Sequence, residues 1–211
     1  MARPHTLYLM RHLPTAGNRA KKYIGWTDEP IEPITEPETF RLSSMQQNIV
    51  YGSDLRRARQ SANIFLPHAI FHEDRRFREC HFGDFEGKTY ADLEQDKDYR
   101  NWLDNPVLHA PKGGEGLKDV EKRLMAALHE LPNDSLVVTH GGPIRIALNQ
   151  FSPEPADFWS WQIPHGSLWK FEWANETTMK EGGRCTSLSE VPTTANAHTS
   201  SNSSPTRHTN G

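Results

Sequence analysis

Four short segments of the sequence carry side chains that could bind and transfer a phosphate group. They are Arg11-His12, the arginines at 56, 57 and 59, Arg78-Glu79, and His140-Gly141-Gly142. Arginine suits phosphate because its planar guanidinium donates two parallel hydrogen bonds. A neutral imidazole is a good nucleophile near neutral pH, and a Gly-Gly pair before a helix offers free backbone N–H groups. Neither a P-loop nor a Gly-x-Gly-x-x-Gly pattern is present, which excludes those nucleotide cradles.

The elements that must position these side chains are short apolar strands. Residues 6–10, 48–51 and 135–139 are mostly apolar runs too short for helices, and the first, second and fourth segments follow them. Helical spacing of apolar residues predicts helices over 55–66, 117–131 and 143–151. This alternation predicts an α/β fold, a three-layer sandwich with a mostly parallel central sheet. Ligands bind beyond the carboxyl ends of such strands, so we expect His12 and His140 to converge on one anion.

The remaining elements are predicted from weaker patterns. Thr35, with Glu38 three residues later and Pro37 in the first turn, predicts a helix over 35–46. Residues 69–71 are predicted as a third strand, 77–87 as a loop, 90–103 as a helix and 105–116 as a connector. Residues 167–173 alternate, which predicts a strand with Trp169, Phe171 and Trp173 on its buried face.

Composition and charge exclude several classes of function. The chain has 211 residues and a formal net charge of −3, which makes a poor nucleic-acid binder. Neither an apolar run long enough to span a membrane nor a signal peptide is evident, so no membrane partner is expected. Cys80 and Cys185 are too few for a disulfide framework, which favours a cytoplasmic location. The oligomeric state stays open.

The carboxyl end differs in composition from the rest. Of the 26 residues from 186 to 211, 15 are Ser, Thr or Asn, and Leu188 and Val191 are the sizeable apolar groups. Such a segment buries too little surface to offset the entropy of ordering it. We therefore expect one domain over residues 1–180 and a disordered tail over 181–211.

Four motifs, in order, resemble those of the histidine phosphatase (phosphoglycerate mutase-like) superfamily. Leu-Met-Arg-His-Leu-Pro-Thr-Ala-Gly-Asn at 9–18 resembles its Arg-His-Gly signature, and Ser-Asp-Leu-Arg-Arg-Ala at 53–58 its Ser-Asp-Leu-x-Arg-Ala segment. Phe-Arg-Glu-Cys-His-Phe-Gly-Asp-Phe-Glu-Gly at 77–87 is similar to its Glu-containing block. Val-Val-Thr-His-Gly-Gly-Pro-Ile-Arg at 137–145 is similar to its second-histidine motif. The resemblance covers about residues 6–173.

The resemblance implies roles for individual residues. His12 would be the nucleophile that forms a phosphohistidine, and Glu79 the proton donor to the leaving oxygen. The phosphoryl group would be bound by a set of surrounding residues: Arg11, Arg57, His140, Asn18 and Gly141. The substrate would be a small phosphorylated molecule. No cofactor and no metal ion are expected, since the protein itself supplies the positive charge.

One residue departs from the family pattern, and others near the motifs have no role that the resemblance implies. Leu13 replaces the usual Gly after Arg-His, and we expect its side chain to narrow or reposition the pocket. Arg145 is expected to pair with a carboxylate rather than with substrate. Trp26 and His81 are candidate pocket residues.

Three functions remain open at this point. The short connector with Trp102 and Pro106, and Gly-Gly-Glu-Gly at 113–116, resemble the small phosphatases of the family, which include α-ribazole phosphatase-like and broad-specificity enzymes. That favours a phosphomonoester hydrolase. A phosphoglycerate mutase and a non-catalytic module that binds a phosphorylated ligand are the alternatives.

Overall fold

Strands and helices alternate along the chain in the computed structural model, which describes residues 3–42 and 45–193. The strands are β1 (His5–Arg11), β2 (Ile49–Gly52), β3 (Ile70–Glu73), β4 (Ser135–Thr139), β5 (Leu168–Trp173) and β6 (Ser187–Val191). The α-helices are α1 (Ala16–Arg19), α2 (Arg56–Phe65), α3 (Tyr90–Leu93), α4 (Lys97–Asp104), α5 (Leu117–Leu128), α6 (Gly141–Phe151) and α7 (Glu176–Lys180). Short 3-10 helices span Pro37–Phe40, Arg75–Phe77, Gly83–Phe85 and Phe158–Ser160.

In the described part of the chain, six strands form one sheet in the order β3-β2-β4-β1-β5-β6. The neighbours from β3 to β1 pair in parallel. Strand β5 runs antiparallel to β1, and β6 runs antiparallel to β5. The predicted α/β fold with a mostly parallel sheet is confirmed.

Side chains of β1 alternate between two hydrophobic cores. Leu7 and Leu9 lie in one cluster with Leu124 of α5 and Ile144 of α6. Met10 lies in a second cluster, which includes apolar side chains of α2. Because successive side chains of a strand point to opposite faces, α5 and α6 cover one face of the sheet and α2 the other. The sheet is the middle one of three layers.

Two predicted helices are shorter than expected. Among the described residues of the helix predicted over 35–46, which are 35–42, 45 and 46, the helical ones are Pro37–Phe40, as a 3-10 turn. Arg41 turns to extended backbone, and the N–H of Leu42 donates to the carbonyl of Phe65 instead of continuing a helix. The helix predicted over 90–103 is divided into α3 and α4, because Asp96 caps α4 by accepting from the backbone of its first turn.

The predicted disordered tail is wrong for residues 187–191, which form β6. This strand pairs with β5 from Leu168↔Val191 to Glu172↔Ser187. Its two apolar residues account for the ordering: Leu188 packs on the first core cluster and Val191 on the second. Residues 194–211 of the predicted tail lie outside the described residues. The domain boundary at residue 180 stays a prediction.

None of the helices in the described part of the chain is long and apolar enough to cross a membrane.

Candidate active site

Two histidines meet where adjacent parallel strands end. His12 follows β1 and His140 follows β4, and the backbone N–H of His12 donates to the carbonyl of Thr139 at 3.0 Å. The two ring centroids are 4.9 Å apart. Both side chains are buried, with 3% and 0% of their surface exposed. The expected convergence of these imidazoles is thus present in the structure.

The backbone selects the tautomer of His12. Nδ1 of His12 lies 2.6 Å from the carbonyl oxygen of Leu13. A carbonyl only accepts, so Nδ1 carries the proton and Nε2 keeps its lone pair. Nε2 is therefore the nucleophilic atom of this ring.

Leu13 contributes its backbone to the site, while its side chain packs in the core. Its N–H donates to Oγ of Ser61 in α2 at 2.8 Å. Its side chain is 3% exposed and belongs to the cluster that contains Met10. The structure therefore corrects the expectation that this side chain narrows the pocket: it fills core space instead.

Arg57 selects the opposite tautomer for His140. This arginine is the second residue of α2 and is fully buried. It donates to the carbonyls of Thr27 at 2.8 Å and Gly25 at 2.6 Å. Its Nε lies 3.3 Å from Nδ1 of His140. Since guanidinium only donates, Nδ1 accepts and Nε2 carries the proton. Nε2 of His140 is buried without a hydrogen-bond partner among the described residues, which leaves a donor for an anion.

Arg11 supplies a second buried cation. Its Nη1 donates to the carbonyl of Ile163 at 2.5 Å, and its Nε is buried with no partner in the described part of the chain. Burial lowers the pKa of Arg11 to about 10, so the guanidinium stays charged at neutral pH. A Cβ on Gly141, the first residue of α6, would lie 3.4 Å from the guanidinium carbon. Arg11 and the amino end of α6 therefore face the same space.

Glu79 is held against the start of α6. One carboxylate oxygen accepts from the N–H of Gly142 at 3.0 Å and the other from the N–H of Cys80 at 2.9 Å. A Cβ at Gly142 would approach the carboxylate to 2.1 Å, so the close approach requires glycine here. The carbonyl of Glu79 accepts from Trp26 Nε1 and from Arg123. These contacts fix the loop that carries the carboxylate.

One histidine of the site was missed in the sequence. The ring of His165 lies 5.4 Å from the ring of His12, and its Nε2 is 3.1 Å from Oδ1 of Asn18. His165 precedes β5, and because β5 is antiparallel to β1, its beginning lies at the edge where β1 ends. The strand pattern at 167–173 gave no direction for this strand. An antiparallel assignment would have drawn attention to His165.

Asn18 and Trp26 have structural partners. Oδ1 of Asn18 accepts from the N–H of Thr15 in a capping box at the start of α1, in addition to its contact with His165.

The Trp26 ring packs against the Arg78 guanidinium, whose carbon lies 4.7 Å from the ring centroid, and its centroid lies 4.8 Å from that of the His81 ring. Trp26 therefore supports the loop of Glu79.

Arg145 differs from expectation, because no carboxylate of the described residues lies within ion-pair distance of it. No ion pair of Arg145 occurs among residues 3–42 and 45–193. Its Nη2 donates to the carbonyl of Trp161 at 3.2 Å. The predicted pairing with a carboxylate is wrong.

Burial and positive charge keep the histidines of the site neutral. Burial, followed by the charge of Arg57, lowers the pKa of both His12 and His140 well below the ordinary value. Burial and the charge of Arg11 lower the pKa of His165 to about 2. The cluster therefore holds neutral imidazoles between charged guanidiniums, an arrangement that attracts an anion. Groups of three or more residues suited to hold a metal ion are not found in the described part of the chain.

These pKa shifts predict that the protein loses stability as pH falls through the ordinary range of histidine. The unfolded chain takes up protons near pH 6.5, whereas the buried rings do not, so protonation favours unfolding below that pH. Each such ring should lower the free energy of unfolding by about 1.4 kcal/mol at one pH unit below 6.5. Urea unfolding from about pH 7.5 to about pH 5.5 measures this. In the His165→Asn variant the loss of free energy of unfolding should be smaller, because about one fewer proton is taken up on unfolding. A loss equal to that of the wild-type protein would show that His165 is not held neutral in the folded state.

Comparisons with known proteins identify similar sequences and a similar fold. The family model described as "Histidine phosphatase superfamily (branch 1)" matches residues 7–182. Phosphoglycerate mutase-like protein 4 of Arabidopsis thaliana is 30% identical over 163 residues, covering 70% of this chain and 71% of that protein. Adenosylcobalamin/alpha-ribazole phosphatase of Salmonella typhimurium is 28% identical over 177 residues, covering 76% and 86%. The solved structure of Bacillus stearothermophilus YhfR is 31% identical, with a TM-score of 0.69, covering 80% and 91%.

Proposed function

Since this chain belongs to the histidine phosphatase superfamily (branch 1), we propose that it hydrolyses phosphomonoesters of small molecules through a phosphohistidine on His12. The observation that carries the proposal is a pair of contacts that assign opposite tautomers to two adjacent histidine rings. Nε2 of His12 keeps a lone pair, while Nε2 of His140, in a ring 4.9 Å away, presents an unpartnered N–H. One ring is prepared to attack phosphorus and the other to hold a phosphate oxygen.

In the first step the lone pair of His12 Nε2 forms the P–N bond while the P–O bond to the leaving alcohol breaks. Glu79 in its protonated form gives its proton to the leaving oxygen. The position of this carboxyl is defined, because both oxygens accept backbone N–H bonds from Gly142 and Cys80. General acid catalysis of this kind contributes about 10²–10⁴-fold.

The transferring group carries its charge on three equatorial oxygens, so positioned cations stabilise it. Arg11, Arg57 and Nε2–H of His140 supply these donors, and burial strengthens their effect. The N–H of Gly141 at the start of α6 and the amide nitrogen of Asn18 complete the proposed set. This positive charge does the work that a metal ion does in other phosphatases, and we propose that turnover needs no metal.

In the second step water attacks the phosphohistidine. A new P–O bond forms, the P–N bond breaks, and the carboxylate of Glu79 takes a proton from the water. Inorganic phosphate leaves and Glu79 is again protonated, so the cycle closes with water as the only co-reactant. A mutase would return the phosphoryl group to a second hydroxyl instead of to water.

A phosphoester panel assayed with EDTA separates the three candidate functions. We expect inorganic phosphate to be released from simple monoesters, including p-nitrophenyl phosphate, at a rate that EDTA leaves unchanged. Isomerisation of a phosphoglycerate without phosphate release would favour a mutase, as the name of the Arabidopsis relative suggests for that protein. Phosphate binding without turnover on any ester would identify a binding module.

A further inference from the structure

A cavity of about 130 Å³ lies beside the carboxyl group of Glu79. Glu79, Gly142 and Arg145 of α6 border it. Most of the other side chains that line it are aromatic, and the rest are apolar or small: Tyr23, Phe82, Trp102, Phe158 and Trp159, with Cys80, Pro106 and Leu117. Because Glu79 is the proposed proton donor to the leaving oxygen, this cavity is where the leaving alcohol would sit.

The aromatic rings form one continuous wall. Trp102 contacts Tyr23 with ring centroids 5.7 Å apart and Trp159 at 6.2 Å. The hydroxyl of Tyr23 is engaged by the hydroxyl of Tyr99 at 2.6 Å, so Tyr23 offers its ring and not a polar group. A cavity of about 150 Å³ with apolar walls holds one benzene ring. The space therefore matches a single small ring or a chain of similar bulk.

Arg145 is the cation of this cavity. Its guanidinium carbon lies 5.6 Å from the Phe158 ring centre and 5.4 Å from that of Trp159. Its Nε is buried without a hydrogen-bond partner in the described part of the chain. Burial lowers the pKa of Arg145 and the charge of Glu79 opposes that shift, but none of the ion pairs among the described residues includes Arg145. A carboxylate is the ligand that a guanidinium in this position should bind most strongly, because it can accept hydrogen bonds from two of the N–H groups. It repels a quaternary ammonium, the group that aromatic cages otherwise bind.

We propose that this cavity is the leaving-group subsite and that it selects a compact planar alcohol bearing a carboxylate, which Arg145 binds. The inference rests on the proposed phosphatase function and adds the chemical class of the substrate. The rings hold the flat body of the alcohol, and Arg145 sets its orientation so that the ester oxygen faces Glu79.

Matched substrates test this selection directly. We expect the 3- or 4-carboxyphenyl phosphate to exceed phenyl phosphate in kcat/KM by about 10- to 100-fold, the range for a hydrogen bond to a charged group. Phosphocholine, which carries the opposite charge, should be a poorer substrate than phenyl phosphate. Equal kcat/KM values for the carboxylated and plain phenyl esters would overturn the proposal.

Variants of Arg145 identify the group responsible. Arg145→Gln should abolish the difference in kcat/KM between the carboxylated and the plain phenyl ester, whatever its effect on the turnover of both, and Arg145→Lys should retain part of the preference. Circular dichroism shows that each variant is folded. The matched control is Arg41→Gln, at an exposed arginine, which should leave the preference intact. A preference that survives Arg145→Gln would overturn the assignment.

A binding measurement keeps this inference distinct from the phosphatase proposal. By calorimetry, 3- or 4-hydroxybenzoate should bind the wild-type protein more tightly than phenol, and Arg145→Gln should remove that difference. Selective binding without hydrolysis of any ester would support the subsite and reject the phosphatase function. Hydrolysis without selectivity in either assay would reject the subsite and retain the function.

Discussion

Replacement of His12 by alanine should lower kcat for p-nitrophenyl phosphate by about 10⁴-fold or more, because no other group stands ready to form the covalent intermediate. The nearest alternatives are poorly suited to the task. Nδ1 of His140 is occupied by Arg57 and its Nε2 carries the proton. The ring of His165 is tied through its Nε2 to Asn18. Steady-state phosphate release measures the effect, with circular dichroism to confirm the fold.

The control for this variant is His72→Ala, at an exposed position on β3, which should change kcat by less than about twofold. A second comparison is His140→Ala, which removes a phosphate donor but leaves the nucleophile. It should retain more activity than His12→Ala. Activity of His12→Ala within about tenfold of wild type would place the nucleophile elsewhere.

Replacement of Glu79 by glutamine should slow hydrolysis to a degree that depends on the leaving group. For an alkyl phosphate, whose alkoxide needs a proton, kcat should fall by about 10²–10⁴-fold. For p-nitrophenyl phosphate, whose leaving group departs as a stable anion, the first step should be much less affected. Glutamine keeps one oxygen to accept from the Gly142 N–H but places an NH2 beside the Cys80 N–H, which had donated to the other carboxylate oxygen. The difference in loss between the two esters, rather than the size of either loss, therefore reports proton transfer.

Kinetics with both esters check this expectation. The matched control is Glu38→Gln, at an exposed position in a 3-10 turn, which should leave both rates unchanged. Equal losses for the two esters would show that Glu79 positions the substrate rather than donating a proton. Slow breakdown of the phosphohistidine in Glu79→Gln would indicate that the same carboxylate activates water.

The sequence was most informative where a catalytic side chain directly follows an apolar run that predicts a strand. His12 and His140 follow apolar runs whose carboxyl ends must meet at one edge of a parallel sheet, and the structure places them there. Arg57 was different, since spacing alone did not separate it from Arg56 and Arg59. Resemblance to the family singled it out, and the structure shows why: Arg57 is the fully buried one among the carbonyls of residues 24–27.

What the sequence did not reveal depends on contacts between distant segments. The position of His165 follows from the antiparallel direction of β5, which an alternating pattern does not specify. The ordering of β6 follows from two non-local contacts: its backbone pairs with the edge of β5, and Leu188 and Val191 pack on the two core clusters. The unpaired state of Arg145 depends on which aromatic residues surround it. None of these contacts is local.

A trapped phosphoenzyme tests the central claim most directly. Brief exposure to labelled phosphoester, quenching in mild base and peptide mass spectrometry should locate one phosphate on the peptide with His12. That phosphate should be stable in base and lost in acid, and His12→Ala should remove it. A phosphate on Ser or Cys, or turnover of the wild-type protein with His12 never labelled even when Glu79→Gln slows the second step, would contradict the account.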